Sequence, residues 1–311
     1  MKLPQDGKIN NKGEHFSQVL VIGDVILDRY ISGSCSRMSP EAPVPIISET
    51  TLEHRAGGAA NVALNLQSLG VQTTLMGITG RDAESKTLQD LLLDLSFVYI
   101  QKENIPTTLK TRYVVDGKQV LRIDRESQGT ADNILKYCLQ KLPSFKYLVL
   151  SDYSKHFTGM IPSLLKAARE HFVHSFVDPK NPDWEIYRGA FTITPNLVEY
   201  EKAGGDLKNL EGGCRALRKK FDIENVLLTR GKDGMFFSSA EEDREIPAAY
   251  RQVVDVTGAG DTVIASLVAA LASGVKWKES LDFANLAAGT ACQKVGTALA
   301  GNGKGDLVLP K

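Results

Sequence analysis

Short apolar segments alternate with segments of helical periodicity along most of this chain of 311 residues. Val19–Gly23 (VLVIG) is typical, because it is apolar throughout and ends at a Gly-Asp pair, as expected of a strand buried on both faces. Such alternation predicts an α/β fold with a mostly parallel central sheet and helices on both faces. The predicted strands are Val19–Gly23, Thr73–Ile78, Tyr147–Leu150, Ser175–Val177, Phe191–Thr194 and Val226–Thr229, and the predicted helices are Ala59–Leu69, Ser85–Leu95, Ala131–Leu142, Ile161–Phe172, Leu210–Phe221, Gly258–Gly274 and Glu279–Val295.

Two segments depart from this alternation and together predict a small β lid. Ser39–Ile47 contains three prolines, which favours an edge strand or an extended arm. Lys110–Asp124 has alternating residues on either side of an Asp-Gly pair, a favoured hairpin turn. The lid would comprise about residues 31–50 and 108–125. The alternative is that both segments are surface loops on the three-layer α/β/α domain.

Composition favours a globular protein with small-molecule partners rather than nucleic acid or membrane. The 37 Lys and Arg residues balance 37 Asp and Glu residues, so no basic nucleic-acid surface is expected. Residues 1–18 form a polar arm without the apolar core of a signal peptide, and Val263–Leu271 is too short to span a bilayer. We expect residues 19–311 to form one domain. A reducing, cytoplasmic location is expected from four cysteines that lie far apart without a CxxC pair: Cys35, Cys138, Cys214 and Cys292.

The most informative motif is Asp255-Val-Thr-Gly-Ala-Gly-Asp261, which precedes an apolar helix. The free N–H groups of Gly258, Ala259 and Gly260, together with the helix dipole, predict an anion pocket. A carboxylate inside such a pocket is explained if Asp261 accepts a proton from a hydroxyl group that attacks phosphorus. The alternative is that Asp261 is only the N-cap of the helix.

Two further motifs open predicted helices. Gly57-Gly58 precedes Asn61 by one turn, which would place backbone N–H groups and an amide near a polyhydroxylated ligand, and the alternative is a structural turn. Asn196 and Glu199 follow a predicted strand and share a helix face, so they could hold a water-coordinated Mg²⁺. Here the alternative is a Pro-Asn turn with an acidic first helical turn.

With these three motifs in this order, the chain resembles the ribokinase-like sugar kinases of the phosphofructokinase-B family. The resemblance extends from Val19 to about Ala300. It implies a ribokinase-like fold, ATP and Mg²⁺ as cofactors, and leaves open a monovalent cation near Asp255 and Thr257. For Lys180, a structural salt bridge is the alternative to contact with the nucleotide phosphates. The resemblance implies an adenine nucleotide site that includes Lys180, Asn196, Glu199, Thr229, Gly231 and Asn285.

The N-terminal third resembles more closely the D-glycero-β-D-manno-heptose-7-phosphate kinases. This implies phosphorylation of the anomeric hydroxyl of heptose 7-phosphate to the 1,7-bisphosphate, in ADP-heptose and lipopolysaccharide core biosynthesis. In many relatives a nucleotidyltransferase domain follows, but no HxGH motif is present, so we expect only the kinase half. His156 stands where we expect glycine in the family, so the loop geometry there is not predicted. The matching segments include residues 23–30, 36–45, 121–124, 151–155 and 177–180.

A phosphorylated sugar needs cations for its phosphate and polar groups for its hydroxyls. Arg37, Arg122 and Lys155 are the candidate cations, although each could instead be a solvated surface residue. Asp24, at the carboxyl end of the first strand, is placed to bind sugar hydroxyls. The resemblance implies the same role for Asp152.

Other functions and an assembly also follow from the sequence. The chain could be a kinase for ribose, a fructose phosphate or a nucleoside, or a catalytically silent regulator that binds sugar phosphates. We also expect a homodimer through the lid, because a sheet of that size has an apolar face that the main domain or a second copy must cover. The residues proposed for this face are Val44, Ile46, Val114 and Leu121.

Overall fold

The computed structural model describes residues 19–102, 105–126, 132–249, 255–293, 296, 299–300 and 309–310, so the predicted polar arm lies outside the described residues. The strands are β1 (Val19–Gly23), β2 (Val25–Met38), β3 (Pro45–Gly58), β4 (Thr73–Gly80), β5 (Ser96–Lys102), β6 (Leu109–Val115), β7 (Lys118–Arg125), β8 (Tyr147–Ser151), β9 (His174–Asp178), β10 (Thr192–Ile193), β11 (Asn225–Thr229), β12 (Met235–Ser238) and β13 (Asp243–Ile246). The α-helices are α1 (Ala59–Ser68), α2 (Ala83–Leu91), α3 (Asp132–Lys141), α4 (Ile161–Glu170), α5 (Leu197–Lys202), α6 (Leu210–Phe221), α7 (Ala259–Ala272) and α8 (Trp277–Ala291).

Nine strands form the central sheet, in the order β13-β12-β11-β10-β9-β8-β1-β4-β5. β1 pairs in parallel with β4 and with β8. Parallel pairing continues from β8 through β9 and β10 to β11, and on the other side from β4 to β5. β12 and β13 add an antiparallel edge. The mostly parallel sheet is confirmed, whereas β5 and the antiparallel edge were not predicted.

Helices cover both faces of this sheet, and β1 shows why. Val19 and Val21 pack into a cluster with apolar residues of α1, α7 and α8. Leu20 and Ile22 point the other way, into a cluster with α3, α4 and α6. A strand that is buried on both faces needs apolar residues at every position. The predicted three-layer α/β/α architecture is therefore confirmed.

Some predicted boundaries differ from the observed ones. α2 begins at Ala83 rather than Ser85, because the Asp82 side chain caps it by accepting a hydrogen bond from the Ser85 N–H. It ends at Leu91 instead of Leu95. β10 has only two residues, although four apolar or Thr residues in a row had predicted a longer strand.

The lid is a four-stranded sheet in the order β3-β2-β6-β7. β6 and β7 form the predicted hairpin, whose turn residues Asp116 and Gly117 have φ of 50° and 76°. β2 and β3 form a second hairpin of two 14-residue strands, which is longer than the predicted segment of residues 31–50. β2 starts directly after β1, and β3 leads into α1. The lid is therefore joined to the main domain at the carboxyl end of β1.

One face of the lid carries alternating charges. Asp28 on β2 is in register with Arg55 on β3 and with Lys110 on β6, and Lys110 is in register with Asp124 on β7. Opposite charges directly across neighbouring strands stabilise a sheet. The lid face that holds Asp28 is therefore polar across all four strands.

The opposite face carries an apolar row. Ile31 on β2 is in register with Leu52 on β3 and Tyr113 on β6, and Tyr113 with Leu121 on β7. Leu52 is 53% exposed and Leu121 is 50% exposed, so the main domain does not cover this row. Val44, which the sequence analysis had grouped with Leu121, lies in the bend between β2 and β3 instead.

Two further predictions concern the whole chain. None of the helices in the described residues is both long and apolar enough to cross a bilayer. The four cysteines are free thiols, as expected from their spacing.

Candidate active site

Loops that follow the parallel strands meet at one edge of the central sheet, the usual position of ligand sites in α/β proteins. Asp24 follows β1, Asp152 follows β8, and Asp178 ends β9. Asn196 follows β10 and forms a bridge with Thr229, the last residue of β11. The structure therefore brings together most of the residues predicted to bind sugar and nucleotide.

Helix α7 begins beside this edge with the predicted glycine motif. Gly258 is its N-cap and has φ of 78°, a left-handed conformation that favours glycine. Asp261 is the third residue of the helix, so its interpretation as the N-cap is wrong. A Cβ atom built on Gly260 meets no atom within 4 Å, so a ligand can approach the helix start. N–H groups in a first helical turn have no helical partner, and they favour an anion there.

Asp261 is buried, and each of its carboxylate oxygens has a polar neighbour. Asn61 Nδ2 donates to Oδ2 at 2.8 Å, and the Tyr153 hydroxyl lies 3.4 Å from Oδ1. Burial and the nearby Asp178 raise the pKa of Asp261 to about 7. Asn61 and Lys180 lower this pKa in part. A carboxylate with such a pKa can accept a proton from a hydroxyl group at neutral pH.

The Gly57-Gly58 motif joins the lid to α1 next to Asp261. Asn61, one turn into α1, is 200 residues from Asp261 in sequence, so their hydrogen bond connects two motifs. A Cβ on Gly57 would lie 2.4 Å from Asp28 Oδ2, and one on Gly58, which has φ of 57°, would lie 2.4 Å from the Asp24 carbonyl oxygen. Close packing thus explains why both positions are glycine, and the contact of these glycines with a sugar stays a prediction.

Lys180 lies between two carboxylates. Its ammonium group is 3.1 Å from Asp178 Oδ1 and 2.9 Å from Glu199 Oε1, so the predicted salt-bridge alternative is present. Burial lowers the pKa of Lys180, but Asp178 and Glu199 outweigh burial and the pKa is raised. Lys180 therefore supplies a permanent positive charge, close enough to lower the pKa of Asp261.

Asn196 and Glu199 form a capping box at the start of α5. Asn196 Oδ1 accepts from the Glu199 N–H at 2.9 Å, and Glu199 Oε2 accepts from the Asn196 N–H at 2.8 Å. Mg²⁺ takes one or two carboxylates and keeps several waters, and the Glu199 and Asp178 carboxylates fit that requirement. Within the described ranges, no group of three or more His, Cys, Asp or Glu side chains could hold a metal ion. Binding of Mg²⁺ through water stays a prediction.

Asp24 anchors the loop that follows β8. Its Oδ2 accepts from the N–H groups of Tyr153 at 2.9 Å and Lys155 at 3.2 Å. Its Oδ1 accepts from the His156 N–H at 3.0 Å and lies 3.3 Å from the His156 Nδ1. Both oxygens thus accept from this loop, so Asp24 holds the loop after β8, and its contact with sugar hydroxyls stays a prediction. His156, in place of the expected glycine, takes part in this anchor.

Asp152 is engaged in the same loop. Its carboxylate accepts from the Tyr187 hydroxyl at 2.5 Å, from the Ser154 N–H at 2.7 Å and from the Thr158 hydroxyl at 3.2 Å. Burial raises the pKa of Asp152, although these hydrogen bonds oppose the shift. Asp152 thus holds this loop, and its contact with substrate stays a prediction.

The three predicted phosphate-binding cations lie on different elements: Arg37 on β2, Arg122 on β7 and Lys155 in the loop after β8. Arg37 is exposed near the end of β2, about 40 Å along the strand from its start. Arg122 is paired with Asp124 at 2.9 Å on the same strand, and Lys155 with Glu126 at 2.5 Å. Arg37 thus lies on the outer part of the lid, and binding of a sugar phosphate by these three cations stays a prediction.

Two residues of this region were not among those predicted: Tyr153, which contacts Asp261, and Lys110, which contacts Tyr153. Tyr153 reaches Asp261 with the hydroxyl group, and its ring lies 5.3 Å from the ammonium group of Lys110 on the lid. No carboxylate in the described part of the chain is in ion-pair distance of Lys110. Tyr153 could have been predicted from its position in the sequence, because it directly follows Asp152 at the carboxyl end of a predicted strand.

The predicted adenine-nucleotide residues lie at two places. Thr229 donates its N–H to the Pro195 carbonyl at 2.8 Å, and Gly231, with φ of 58°, has open space around its Cβ direction. Asn285 on α8 donates from Nδ2 to the carbonyl of Pro247, at 2.7 Å, in the segment after β13. Contact of these residues with a nucleotide stays a prediction.

Asp255 holds the loop before α7. Its Oδ1 accepts from the N–H and hydroxyl of Thr257 at 2.9 and 2.7 Å, and its Oδ2 accepts from the Gly296 N–H at 2.8 Å. Burial raises the pKa of Asp255, but these hydrogen bonds outweigh burial and the pKa is lowered. Asp255 is thus ionised, and a monovalent cation beside it stays a prediction.

A buried carboxylate in the first turn of a glycine-led helix, hydrogen-bonded to the Asn of a Gly-Gly motif, is the arrangement that the sugar-kinase resemblance implies. The family model of the pfkB family carbohydrate kinases matches residues 17–302. The chain belongs to this family. The family match includes the main domain and the loops that carry the candidate site. The activity of this family is the transfer of phosphate to a carbohydrate.

Several curated relatives of this pfkB-family chain are named bifunctional protein HldE. The relative from Pseudomonas aeruginosa (strain LESB58) is 44% identical over 290 residues, which is 90% of this chain and 61% of that protein. The relative from Marinomonas sp. (strain MWYL1) is 39% identical over 300 residues, 93% of this chain and 62% of that protein. This chain therefore spans about three fifths of the length of these relatives.

Solved structures share the fold at low sequence identity. Ribokinase from Arabidopsis thaliana, complexed with ribose and ATP, has a TM-score of 0.73 and 22% identity over 91% of this chain and 94% of that chain. Phosphofructokinase-2 from Escherichia coli, in complex with potassium, has a TM-score of 0.75 and 17% identity over 92% of this chain and 95% of that chain. The ribokinase-like fold is therefore confirmed.

Proposed function

We propose that this pfkB-family chain transfers the γ-phosphoryl group of ATP to the anomeric hydroxyl of a sugar phosphate. Asp261 carries the proposal, as a buried carboxylate with a pKa of about 7 at a helix start that is open to ligand. Asp261 accepts the hydroxyl proton, the hydroxyl oxygen forms a bond to the γ-phosphorus, and the bond from that phosphorus to the β,γ-bridging oxygen breaks to release ADP. The N–H groups of Gly258 and Gly260 stabilise the charge on the transferred group, whereas the Ala259 N–H donates to the Val256 carbonyl at 3.1 Å.

The nucleotide phosphates meet positive charge on the other side of Asp261. Lys180, fixed between Asp178 and Glu199, is placed to attract them without losing its proton. Mg²⁺, when bound through water by Asn196 and Glu199, would neutralise charge on the β- and γ-phosphates. The role of these residues is to position the phosphates in line with the acceptor hydroxyl.

We propose D-glycero-β-D-manno-heptose 7-phosphate as the acceptor and its 1,7-bisphosphate as the product. The support is the resemblance in residues 23–30 and 36–45, together with about 40% identity to the bifunctional relatives. Because this chain spans only 61% of those proteins, a second activity of theirs is not part of the proposal. A kinase for another sugar or sugar phosphate is the alternative.

Lys110 is our candidate for binding the phosphate end of the acceptor. It lies over the Tyr153 ring, and Tyr153 in turn reaches Asp261. Lys180 lies over the same ring at 5.6 Å, but it is held by Asp178 and Glu199. Arg112 is held by Asp28 at 2.5 Å and is not available in the same way. A compact ammonium group without a carboxylate partner in the described residues suits a phosphomonoester.

We also propose a homodimer through the apolar lid row defined by Leu52, Ile31, Tyr113 and Leu121. Two of these side chains are at least 50% exposed, and β7 is exposed along its whole length. Pairing the same row of a second copy by two-fold symmetry would remove this apolar surface from water. We further propose a cytoplasmic location, supported by the four free thiols and by ATP as donor.

The experiment is ADP release by the purified chain with heptose 7-phosphate, ribose, fructose 6-phosphate and adenosine. We expect heptose 7-phosphate to give the highest kcat/KM. Asp261→Asn should lower kcat by roughly 10²–10⁴-fold. The matched control is Glu279→Gln, which changes an exposed carboxylate in the first turn of the neighbouring helix α8 and should leave kcat unchanged. Near-normal turnover by Asp261→Asn would refute the base, and a higher kcat/KM with another acceptor would replace heptose phosphate.

A further inference from the structure

A line of hydrogen bonds runs from the C-terminal segment to Asp261 through two buried asparagines. The Ala300 N–H donates to Asn65 Oδ1 at 2.9 Å. Asn65 Nδ2 donates to Asn61 Oδ1 at 3.1 Å, and Asn61 Nδ2 donates to Asp261 Oδ2 at 2.8 Å. Asn61 and Asn65 are one helical turn apart on α1, with exposed fractions of 1% and 0%. Neither side chain can exchange these partners for water.

The orientation of both asparagine amides is fixed by backbone groups, which can act only as donor or only as acceptor. A backbone N–H only donates, so Ala300 must face the oxygen of the Asn65 amide, and the Asn65 NH₂ group must then face Asn61. The same NH₂ group also donates to the Asn61 carbonyl oxygen at 2.9 Å, which favours the same orientation. Facing a donor, Asn61 turns its Oδ1 toward Asn65 and its own NH₂ group toward Asp261.

We propose that Asn65 is a positioning residue for phosphoryl transfer, because it holds Asn61 with the amide NH₂ group toward the carboxylate of Asp261. The inference rests on the proposed function, in which Asp261 is the base. An NH₂ group at this place stabilises the ionised carboxylate, which is the form that accepts the proton. A reversed Asn61 would turn an oxygen toward Asp261 and disfavour that form. Asn65 does not contact the reacting atoms and acts only through Asn61.

Other groups around Asp261 also influence its ionisation. Asp178 at the end of β9 and Asp28 on β2 disfavour the ionised form, whereas Lys180 favours it. The Tyr153 hydroxyl, from the loop after β8, lies 3.4 Å from Oδ1. From α1 the contact is the neutral amide of Asn61, at the closest distance of these contacts. Asn65 therefore determines which end of the uncharged Asn61 amide faces Asp261, and it leaves the charged groups around Asp261 unchanged.

The test is the pH dependence of kcat/KM for the acceptor at saturating ATP, between pH 5.5 and 9 (roughly the range in which the base titrates). Asn65→Leu removes the amide at similar volume and should move the acid limb to higher pH by about one unit, the size expected when a hydrogen bond to the ionised form is lost. Asn65→Asp, which accepts from Ala300 and from a reversed Asn61, should move it at least as far. The matched control is Gln67→Leu, an amide on the same helix that contacts only the Asp94 carbonyl and should leave the profile unchanged.

A second variant keeps the inference testable if both Asn65 variants fail to fold. Ala300→Pro removes the N–H that faces Asn65 and leaves α1 intact, and it should move the acid limb in the same direction by a smaller amount. A folded Asn65→Leu or Ala300→Pro enzyme with the wild-type acid limb would overturn the inference. If the wild type has no acid limb near pH 7, or if Asp261→Asn stays active, the proposed base fails instead, so the two failures are distinguishable.

Discussion

Replacing Asp261 by Asn should stabilise the protein at alkaline pH while it lowers kcat by roughly 10²–10⁴-fold. The pKa of Asp261 is raised by burial and Asp178 to about 7, against an ordinary value of 3.8. Because the folded chain holds this proton more tightly than the unfolded chain, the stability present below pH 3.8 is lost as the pH rises to about 7. A difference of about three units corresponds to a cost on the order of 4 kcal/mol for burying the ionised side chain above pH 7. Asn keeps the shape of Asp without that cost.

The assay is urea unfolding of the wild type and of Asp261→Asn at pH 5 and pH 8, with ADP release measured on the same samples. Between these two values the folded wild type loses most of the Asp261 proton, so the advantage of Asn should grow by roughly 2–3 kcal/mol. The control Glu279→Gln, at an exposed carboxylate, should show no such growth. If the gap between wild type and Asp261→Asn is the same at both pH values, Asp261 does not titrate between them and the reasoning about the base is wrong.

Three other substitutions test the lid and the glycine motif. Lys110→Met should raise the KM for the phosphorylated acceptor about tenfold or more, since a charge-assisted contact is lost, whereas Lys118→Met at the hairpin turn should not; equal KM values would remove Lys110 from the site. Gly58→Ala should lower the free energy of unfolding in urea by roughly 2–4 kcal/mol, because φ is positive and the Asp24 carbonyl is close. Gly70→Ala, where φ is also positive but the space is open, should lower it by about 1 kcal/mol. Equal losses would contradict the close approach. Leu121→Lys should halve the mass in light scattering to that of one 33.9 kDa chain, and a wild type that is already monomeric would refute the dimer.

The main domain could be predicted because its strands are buried on both faces. Strands such as β1, apolar at every position, stand out between amphipathic helices, and this alternation predicts a mostly parallel sheet. The inner parts of β2 and β3, residues 25–30 and 51–58, were missed, because residues 25–28 and 56–58 are buried at successive positions and show no alternation. β12 and β13 are four residues each, too short for a periodic pattern to show.

The site could be predicted where a motif is local and not where contacts are long-range. Asp261 and its glycines lie within one turn, so sequence alone located the motif that begins α7. The charge of Arg37 was visible, but the length of β2 that carries it away from the site was not. Asp24 is at the predicted strand end, yet a loop 129 residues later supplies the N–H group that engages it. Asn65 depends on a partner 235 residues away.

The central claim is that the chain moves a phosphoryl group from ATP to O1 of a sugar that already carries a phosphate, with Asp261 as the base. The most direct measurement is ³¹P NMR of a reaction of the purified chain with ATP, Mg²⁺ and heptose 7-phosphate. The account predicts that ADP and a second sugar phosphomonoester signal, coupled to the anomeric proton, increase in equal amounts, and that Asp261→Asn forms neither. Release of inorganic phosphate in place of the second ester, or the same product formed at the wild-type rate by Asp261→Asn, would contradict it.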